Sequence, residues 1–307
     1  MNILHMKYAA EVAKAGSINK AAENLMMAQP NLSRAIKELE NSLGITIFDR
    51  SIKGMCLTPD GTKFMGYAQN ILDQIDDMEK MYRSGIVIQQ KFSVSVPRAS
   101  YISQAFAQFS KTIAQESAEI FFKETNTAKA VSNILSANYK LAVIRYASEL
   151  NQSYMDMLKD KEIHSELVAE FRPMLLINKD SKLAGISEIH FSDLSSLIEV
   201  VHDDPIIPYL PPHRIQKNEP DKLINRKIYV FDRAGRFDLL TSNRNAFMWV
   251  SPAPTEILDK YGLLQRVCND NHQLYRDVLI YRKNYHLTEM DKRFIAELFR
   301  VKKKYMG

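Results

Sequence analysis

Cysteine is scarce in this chain: Cys56 and Cys268 stand far apart, too few for a disulfide framework or for an all-cysteine zinc cluster. That scarcity points to a reducing, cytoplasmic setting. Long apolar runs are missing as well. Lys7, Glu11 and Lys14 interrupt the first turns at helical intervals, and no stretch reaches the roughly 20 apolar residues that cross a bilayer. Neither export nor membrane insertion is expected. There is no Gly-rich phosphate loop, no nucleophile elbow and no pair of histidines at helical metal spacing, so no catalytic residue, metal site or cofactor is assigned and an enzyme is not expected. The nearest approach to a metal cluster, His202-Asp203-Asp204, sets two adjacent acids where one ion would rarely meet both. Charge of one sign is not in great excess either, since 41 Lys and Arg stand against 36 Asp and Glu. A net charge of +5 permits a polyanionic partner without requiring one. What is present is 307 residues, 46% of them apolar, enough to fill the cores of two or three domains.

The chain opens with a small helical grammar. Leu4, Tyr8 and Val12 recur every four residues and predict a helix ending at Gly16. Ser17 is placed to cap a second helix, Ile18 to Leu25, whose buried face is Ala21, Ala22 and Leu25. After a short turn, Met26 to Ala28, Pro30 falls in the first turn of a third helix, where its missing donor does no harm. Leu32, Ile36, Leu39 and Leu43 form the inward stripe of that helix, and Gly44 closes it. Its other face begins with Gln29, Asn31, Ser33, Arg34 and Lys37, the amide, hydroxyl and cationic groups that read base edges and phosphates at the leading end of a recognition helix. Ile45 to Phe48 and Met55 to Leu57 predict two short strands around a turn carrying Arg50 and Lys53, a wing beside the phosphates. The whole front module is nearly neutral, with seven cations against six acids through Gly61. One copy alone is therefore expected to bind nucleic acid weakly.

These residues carry a resemblance. Gly16-Ser17-Ile18-Asn19-Lys20-Ala21-Ala22-Glu23-Asn24-Leu25, Gln29-Pro30-Asn31-Leu32-Ser33-Arg34, Leu43-Gly44, Phe48-Asp49-Arg50 and Leu57-Thr58-Pro59-Asp60-Gly61 together resemble the N-terminal domain of LysR-type transcriptional regulators, over about the first sixty residues. Two positions depart from that pattern: Ala28 stands where a hydroxyl is usual, and Asp60 where alanine is common. The resemblance implies that Gln29, Pro30, Ser33 and Arg34 face DNA, with Arg50 and Lys53 on the wing.

Thr58 is placed to cap a long helix to about Arg83, along which Phe64, Ala68, Ile71, Ile75, Met78 and Tyr82 step by four and three, the a/d seam of a dimerisation coiled coil. From Lys91 short strands alternate with amphipathic helices, an order that predicts mostly parallel sheets flanked by helices. Residues 205–220 hold a cluster of prolines and read as an extended surface loop. The expected fold is α/β: a winged helix-turn-helix over residues 1–58, a linker and dimerisation helix over 59–90, and a two-lobed effector domain over 91–307. By analogy with the family, that domain resembles a periplasmic binding protein, with lobe 1 at 91–162 plus 268–307 and lobe 2 at 163–267. Ligands of open α/β sheets sit beyond strand C-termini, which nominates Ser100, Thr125, Asn126, Thr127 and His202 as effector-binding residues. The resulting expectation is a cytoplasmic, sequence-specific transcriptional regulator, a homodimer or homotetramer on double-stranded DNA, answering to a small-molecule effector and acting on RNA polymerase. A small-molecule binding protein and a DNA-tethered enzyme are the alternatives.

Overall fold

The structure, a computed structural model, describes residues 2–51, 54–83, 90–113, 117–202, 224–230 and 233–306; at 50, 51, 70, 74, 77, 80–83, 233 and 234 it describes the backbone alone. The chain divides into two compact units, residues 1–89 with 135–137, and the remainder.

The first unit opens with α1 (Ile3–Ala15), α2 (Ile18–Asn24) and α3 (Gln29–Leu43). The Asn2 side chain accepts from the Leu4 amide, Ser17 caps α2, and Gly16 and Gly44 end α1 and α3 in the left-handed region. Ala9, Val12, Ala21, Ala22, Leu32, Ile36 and Leu39 form one core, and Asn24 donates to Glu11 at 2.7 Å to fasten α2 to α1. The wing is an antiparallel pair, β1 (Phe48–Ser51) and β2 (Gly54–Leu57). β1 starts three residues later than the Ile45–Phe48 run predicted. A tertiary contact decides this: the Glu40 carboxylate accepts from the Ile47 and Phe48 amides at 2.7 and 3.2 Å, so those donors are committed to α3 rather than to a ladder. Met55 donates to the Gly16 carbonyl at 2.9 Å and docks the wing on the α1 cap.

Thr58 caps α4 (Pro59–Arg83), accepting from the Gly61 amide at 2.8 Å. At 1.5 Å per residue the helix runs for about 37 Å. Its apolar residues part into two faces. Phe64, Ala68 and Leu72 pack against Met6 and Ala10 of α1, whereas Tyr67, Ile71 and Met78 are 44%, 37% and 53% exposed.

The second unit holds two five-stranded sheets. The first, in order β4-β3-β5-β12-β6, comprises β3 (Gln90–Val96), β4 (Ala118–Glu124), β5 (Leu141–Ala147), β6 (Ile163–Phe171) and β12 (Tyr275–Arg282). It is covered by α5 (Ser100–Ser110), α6 (Thr127–Leu135), α7 (Asn151–Asp160) and the last helix, α11 (Glu289–Met306). The second, in order β11-β7-β10-β8-β9, comprises β7 (Met174–Asn178), β8 (Ile198–His202), β9 (Lys227–Val230), β10 (Ala246–Val250) and β11 (Leu263–Arg266), with α8 (Phe191–Leu194), α9 (Arg233–Ser242) and α10 (Thr255–Tyr261) around it.

Two expectations are corrected. The sheets are mixed rather than mostly parallel: β12 runs antiparallel to β5 and β6, and β7 antiparallel to β10 and β11. Strands that return from the other lobe enter without a helical crossover, so nothing forces them parallel. Residues 163–171 belong to lobe 1 and not lobe 2, because β6 pairs with β12 along its length and buries Val168, Ala169 and Phe171 in the first lobe's core. That core is knit by three rings: Phe92 lies 4.8 Å from Phe109 and 5.3 Å from Phe294, centroid to centroid. Thr288 and Asp291 cap α11 reciprocally, the Asp291 carboxylate also accepting from the Tyr285 hydroxyl at 2.6 Å. The proline-rich residues 205–220 lie outside the described residues.

Candidate functional site

The tight α2–α3 turn places a polar helix end on the surface of the first unit. Met26 adopts φ 51° there, which turns the chain sharply enough for α3 to cross α2. Ala28, at the α3 N-cap, makes no side-chain cap bond, so no hydroxyl satisfies the first amides of the helix. Pro30, Asn31, Arg34 and Lys37 are exposed, and Gln29 and Ser33 half-buried. Pro30, Asn31, Arg34 and Lys37 lie off the Leu32, Ile36 and Leu39 core stripe, whereas Gln29, seven residues before Ile36, stands at the end of that stripe. Among the described residues, the Gln29, Arg34 and Lys37 side chains make no hydrogen bond or ion pair. Arg50 is described by its backbone alone, within β1, and Lys53 lies outside the described residues.

The family model for the bacterial regulatory helix-turn-helix protein of the LysR family matches residues 3–62. This stretch is similar to the helix-turn-helix of that family. Among curated proteins, the uncharacterized HTH-type transcriptional regulator YcgK of Bacillus subtilis is 44% identical over 98 residues, 32% of this chain and 30% of YcgK. The HTH-type transcriptional regulator BenM of Acinetobacter baylyi is 40% identical over 81 residues, 26% of this chain and 27% of BenM. The matched stretch thus spans under a third of either relative. In three dimensions a likeness of fold extends over the whole chain. Full-length LysG from Corynebacterium glutamicum, solved with bound effector Arg, superposes with a TM-score of 0.67 at 12% identity, covering 99% of both chains. Full-length OxyR from Pseudomonas aeruginosa gives 0.59 at 15% identity, over 100% of this chain and 96% of its own. The fold is that of full-length LysR regulators: a helix-turn-helix followed by a two-sheet domain.

Within the second unit a cavity of about 520 Å³ opens between the two sheets. Arg145, Phe171 and Tyr275 of the first sheet face Glu199, His202 and Trp249 of the second across it, and Asp270 on the returning strand connection closes one side. Arg145 is anchored from behind. Its Nε and Nη2 donate to the two Asp277 oxygens at 2.7 Å each, and the Tyr101 hydroxyl donates to the same carboxylate at 2.6 Å. Asp277 has no exposed side-chain surface, whereas Arg145 keeps 19% of its own. Burial opposes the Arg145 charge, but Asp277 more than offsets it and raises its pKa; burial and then Asp277 push the Tyr101 phenol well above its ordinary value. The guanidinium also lies 4.8 Å over the Phe171 ring. Across the cavity, His202 Nδ1 meets the Val230 carbonyl at 3.3 Å and Nε2 meets Arg236 Nη1 at 3.1 Å. A carbonyl can only accept and a guanidinium only donate, so these two contacts call for the tautomer with its proton on Nδ1.

The residues nominated from sequence fall in two places. His202 is in the cavity wall. Ser100 begins α5, and Thr125 is buried where β4 leads into α6. Asn126 caps α6 by accepting from the Lys129 amide at 2.8 Å. The Thr127 hydroxyl donates to the Arg145 carbonyl at 2.6 Å and accepts from the Arg145 amide at 3.1 Å. Thr127 is thereby tied to the cavity wall through the Arg145 backbone, while none of the four lines the cavity itself. Asp203 and Asp204 lie outside the described residues. Sequence reasoning missed Arg145, Asp277, Glu199 and Trp249. For Arg145 and Asp277 the available signal was a charge inside an apolar strand, Arg145 alone in Leu141–Ala147 and Asp277 before the run Val278–Ile280 in Tyr275–Arg282, since charges buried in a sheet require a partner.

Proposed function

We propose that this protein is a cytoplasmic LysR-type transcriptional regulator that binds double-stranded DNA as a homodimer or homotetramer and responds to a small molecule held between its two lobes. The observation that carries the reading is the polar leading face of α3, from Gln29 to Lys37, exposed on a LysR-family domain and followed by a two-lobed domain with its own cavity. Gln29, Asn31 and Arg34 would meet base edges and phosphates in the major groove, with Pro30, Ser33 and Lys37 beside them and Arg50 and Lys53 on the wing. A nearly neutral module gains affinity by pairing, and the exposed stripe Tyr67, Ile71 and Met78 with half-buried Ile75 offers α4 a second copy of itself. The coupling is allosteric: effector binding favours one lobe or subunit arrangement, which alters the spacing or bend of the bound DNA and its use by RNA polymerase. The relatives are named transcription regulators, which favours this over a DNA-tethered enzyme.

Footprinting of the DNA beside the chain's own gene tests the reading. Two protected half-sites about one or more helical turns apart are expected. A protein that is monomeric and indifferent to that DNA at low salt refutes it.

A further inference from the structure

We propose that Glu256, Lys304 and Tyr305 form a clasp between the two lobes that restrains the opening of the cavity, and so sets the balance of lobe arrangements on which an effector acts. For that consequence it rests on the effector reading above. The chain itself crosses between the lobes twice. Phe171 ends β6 and Met174 begins β7, with Arg172 and Pro173 between them. The return crossing runs from Arg266 of β11 to Tyr275 of β12. Its two ends are fastened to different lobes. The Asn269 amide donates to the Ile189 carbonyl and the Phe191 amide to Asp270, each at 2.8 Å, whereas the Ser148 amide of lobe 1 donates to the Leu274 carbonyl at 2.8 Å. Asn271, His272 and Gln273 lie between these anchors, a short stretch through which one lobe can turn on the other. Phe171, Pro173 and His272 line the cavity, so it opens beside this hinge.

The clasp ties the lobes through other elements. Glu256 lies in the first turn of α10, whose Ile257, Leu258 and Tyr261 pack against the core of the second sheet. Lys304 and Tyr305 lie at the end of α11, whose Phe294, Leu298 and Val301 are buried in the core of the first. Lys304 Nζ donates to Glu256 Oε1 at 2.8 Å, and the Tyr305 hydroxyl lies 2.8 and 2.7 Å from Oε1 and Oε2. The bond from Lys304 and then that from Tyr305 hold the Glu256 carboxyl down to about 2, so it is charged at neutral pH. The link from the cavity to the clasp is stiff. Ser251 of the wall leads through Pro252, Ala253 and Pro254 into α10. Gln265 of β11 braces that loop, accepting from the Ala253 amide at 2.9 Å and donating to the Ser251 carbonyl at 3.0 Å. A shift of the wall at Ser251 therefore carries Glu256 with it. Lys304 and Glu256 are 56% and 54% exposed, and such a pair adds little to folding. What it biases is the balance between lobe arrangements, where a small difference suffices.

Trp249 is the sole tryptophan of the chain and lines the cavity. Quenching of its fluorescence by acrylamide in the full-length protein therefore reports how open the cavity is, with no effector needed. In Glu256→Ala the quenching constant is expected to rise by about half or more, with Tm close to the parent's. The reversed pair, Glu256→Lys with Lys304→Glu, is expected to bring the constant back towards that of the parent. A constant that is unchanged or smaller in Glu256→Ala, or that the reversed pair leaves raised, overturns the clasp while the effector reading stands. Failure of the effector reading shows separately, as a DNA footprint that no candidate metabolite alters, whatever the quenching.

Discussion

Removing the Asp277 carboxylate is the severest single test of how the effector domain is held together. In Asp277→Ala, Arg145 loses two charge-assisted bonds of 2.7 Å and Tyr101 loses its acceptor at 2.6 Å. Breaking a buried ion pair from one side costs about 3–5 kcal/mol. Arg145 keeps 19% of its side chain exposed and can recruit water, which places its share near the lower limit, about 3 kcal/mol. Tyr101 has no exposed surface, and stranding its hydroxyl adds about 1–2 kcal/mol. In a domain of this size each kcal/mol moves Tm by about 2–4 °C, so the second unit should melt on the order of 10 °C lower in calorimetry of the full chain. The double variant Arg145→Met with Asp277→Leu removes both charges at similar volume and should recover most of the loss, because a well-packed apolar replacement of a buried pair is often neutral. A melting point within about 3 °C of the parent for Asp277→Ala, or a double variant no better than the single, would refute this reasoning.

Other perturbations separate the remaining roles. Arg34→Ala should weaken operator binding by at least tenfold in a mobility-shift titration at fixed salt, while sedimentation still reports the parent oligomer; unchanged affinity would remove Arg34 from the interface. In Gly61→Ala the new Cβ would lie 2.1 Å from the Ile47 carbonyl oxygen, so the wing and the start of α4 must separate, at a cost of about 1–3 kcal/mol read from denaturant unfolding of the full chain. Met26 holds φ 51° with its side chain 96% exposed; Met26→Gly should stabilise the first unit by up to about 1 kcal/mol, since glycine takes that backbone without strain. The His190–Asp270 pair carries a pH signature. Hydrogen bonding to Asp270 raises the His190 pKa, and the Phe191 amide and then His190 lower that of Asp270. The histidine's contribution is complete below its unfolded value of about 6.5 and is lost as pH rises through the raised folded value; the carboxylate's is complete above about 3.9 and is lost as pH falls through the lowered one. Tm should therefore decline on the alkaline side of about pH 6.5, and His190→Gln should flatten that decline.

Local rules reached far into the first unit and stopped short in the second. α2 and α3 follow from one apolar stripe each, with Ser17, Gly16 and Gly44 as punctuation, because small helices are governed by residues three and four positions apart; α1 forms where its spacing puts it but buries Met6, Ala9 and Val12, and Leu4 of the expected stripe is exposed. The start of β1 escaped the same rules: Ile45 and Ile47 favour a strand, but Glu40, from a neighbouring helix, takes the amides that a strand would need. The seam on α4 was legible as a period and not as a division of labour. Only the docked position of α1 shows that Ala68 serves its own unit while Ile71 stays outside.

Short-range pattern was enough for the helix-turn-helix, its capped boundaries, the polar groups at the start of α3 and the alternation of strands and helices, since each is written in residues within a turn or two of one another. Tertiary structure alone decided the rest. β12 lies between β5 and β6, across a gap of about one hundred residues or more, and that insertion brings Asp277 to Arg145 and completes the cavity wall. A pairing between distant strands leaves no period in the chain, because register and partner are chosen by what each strand buries against the others.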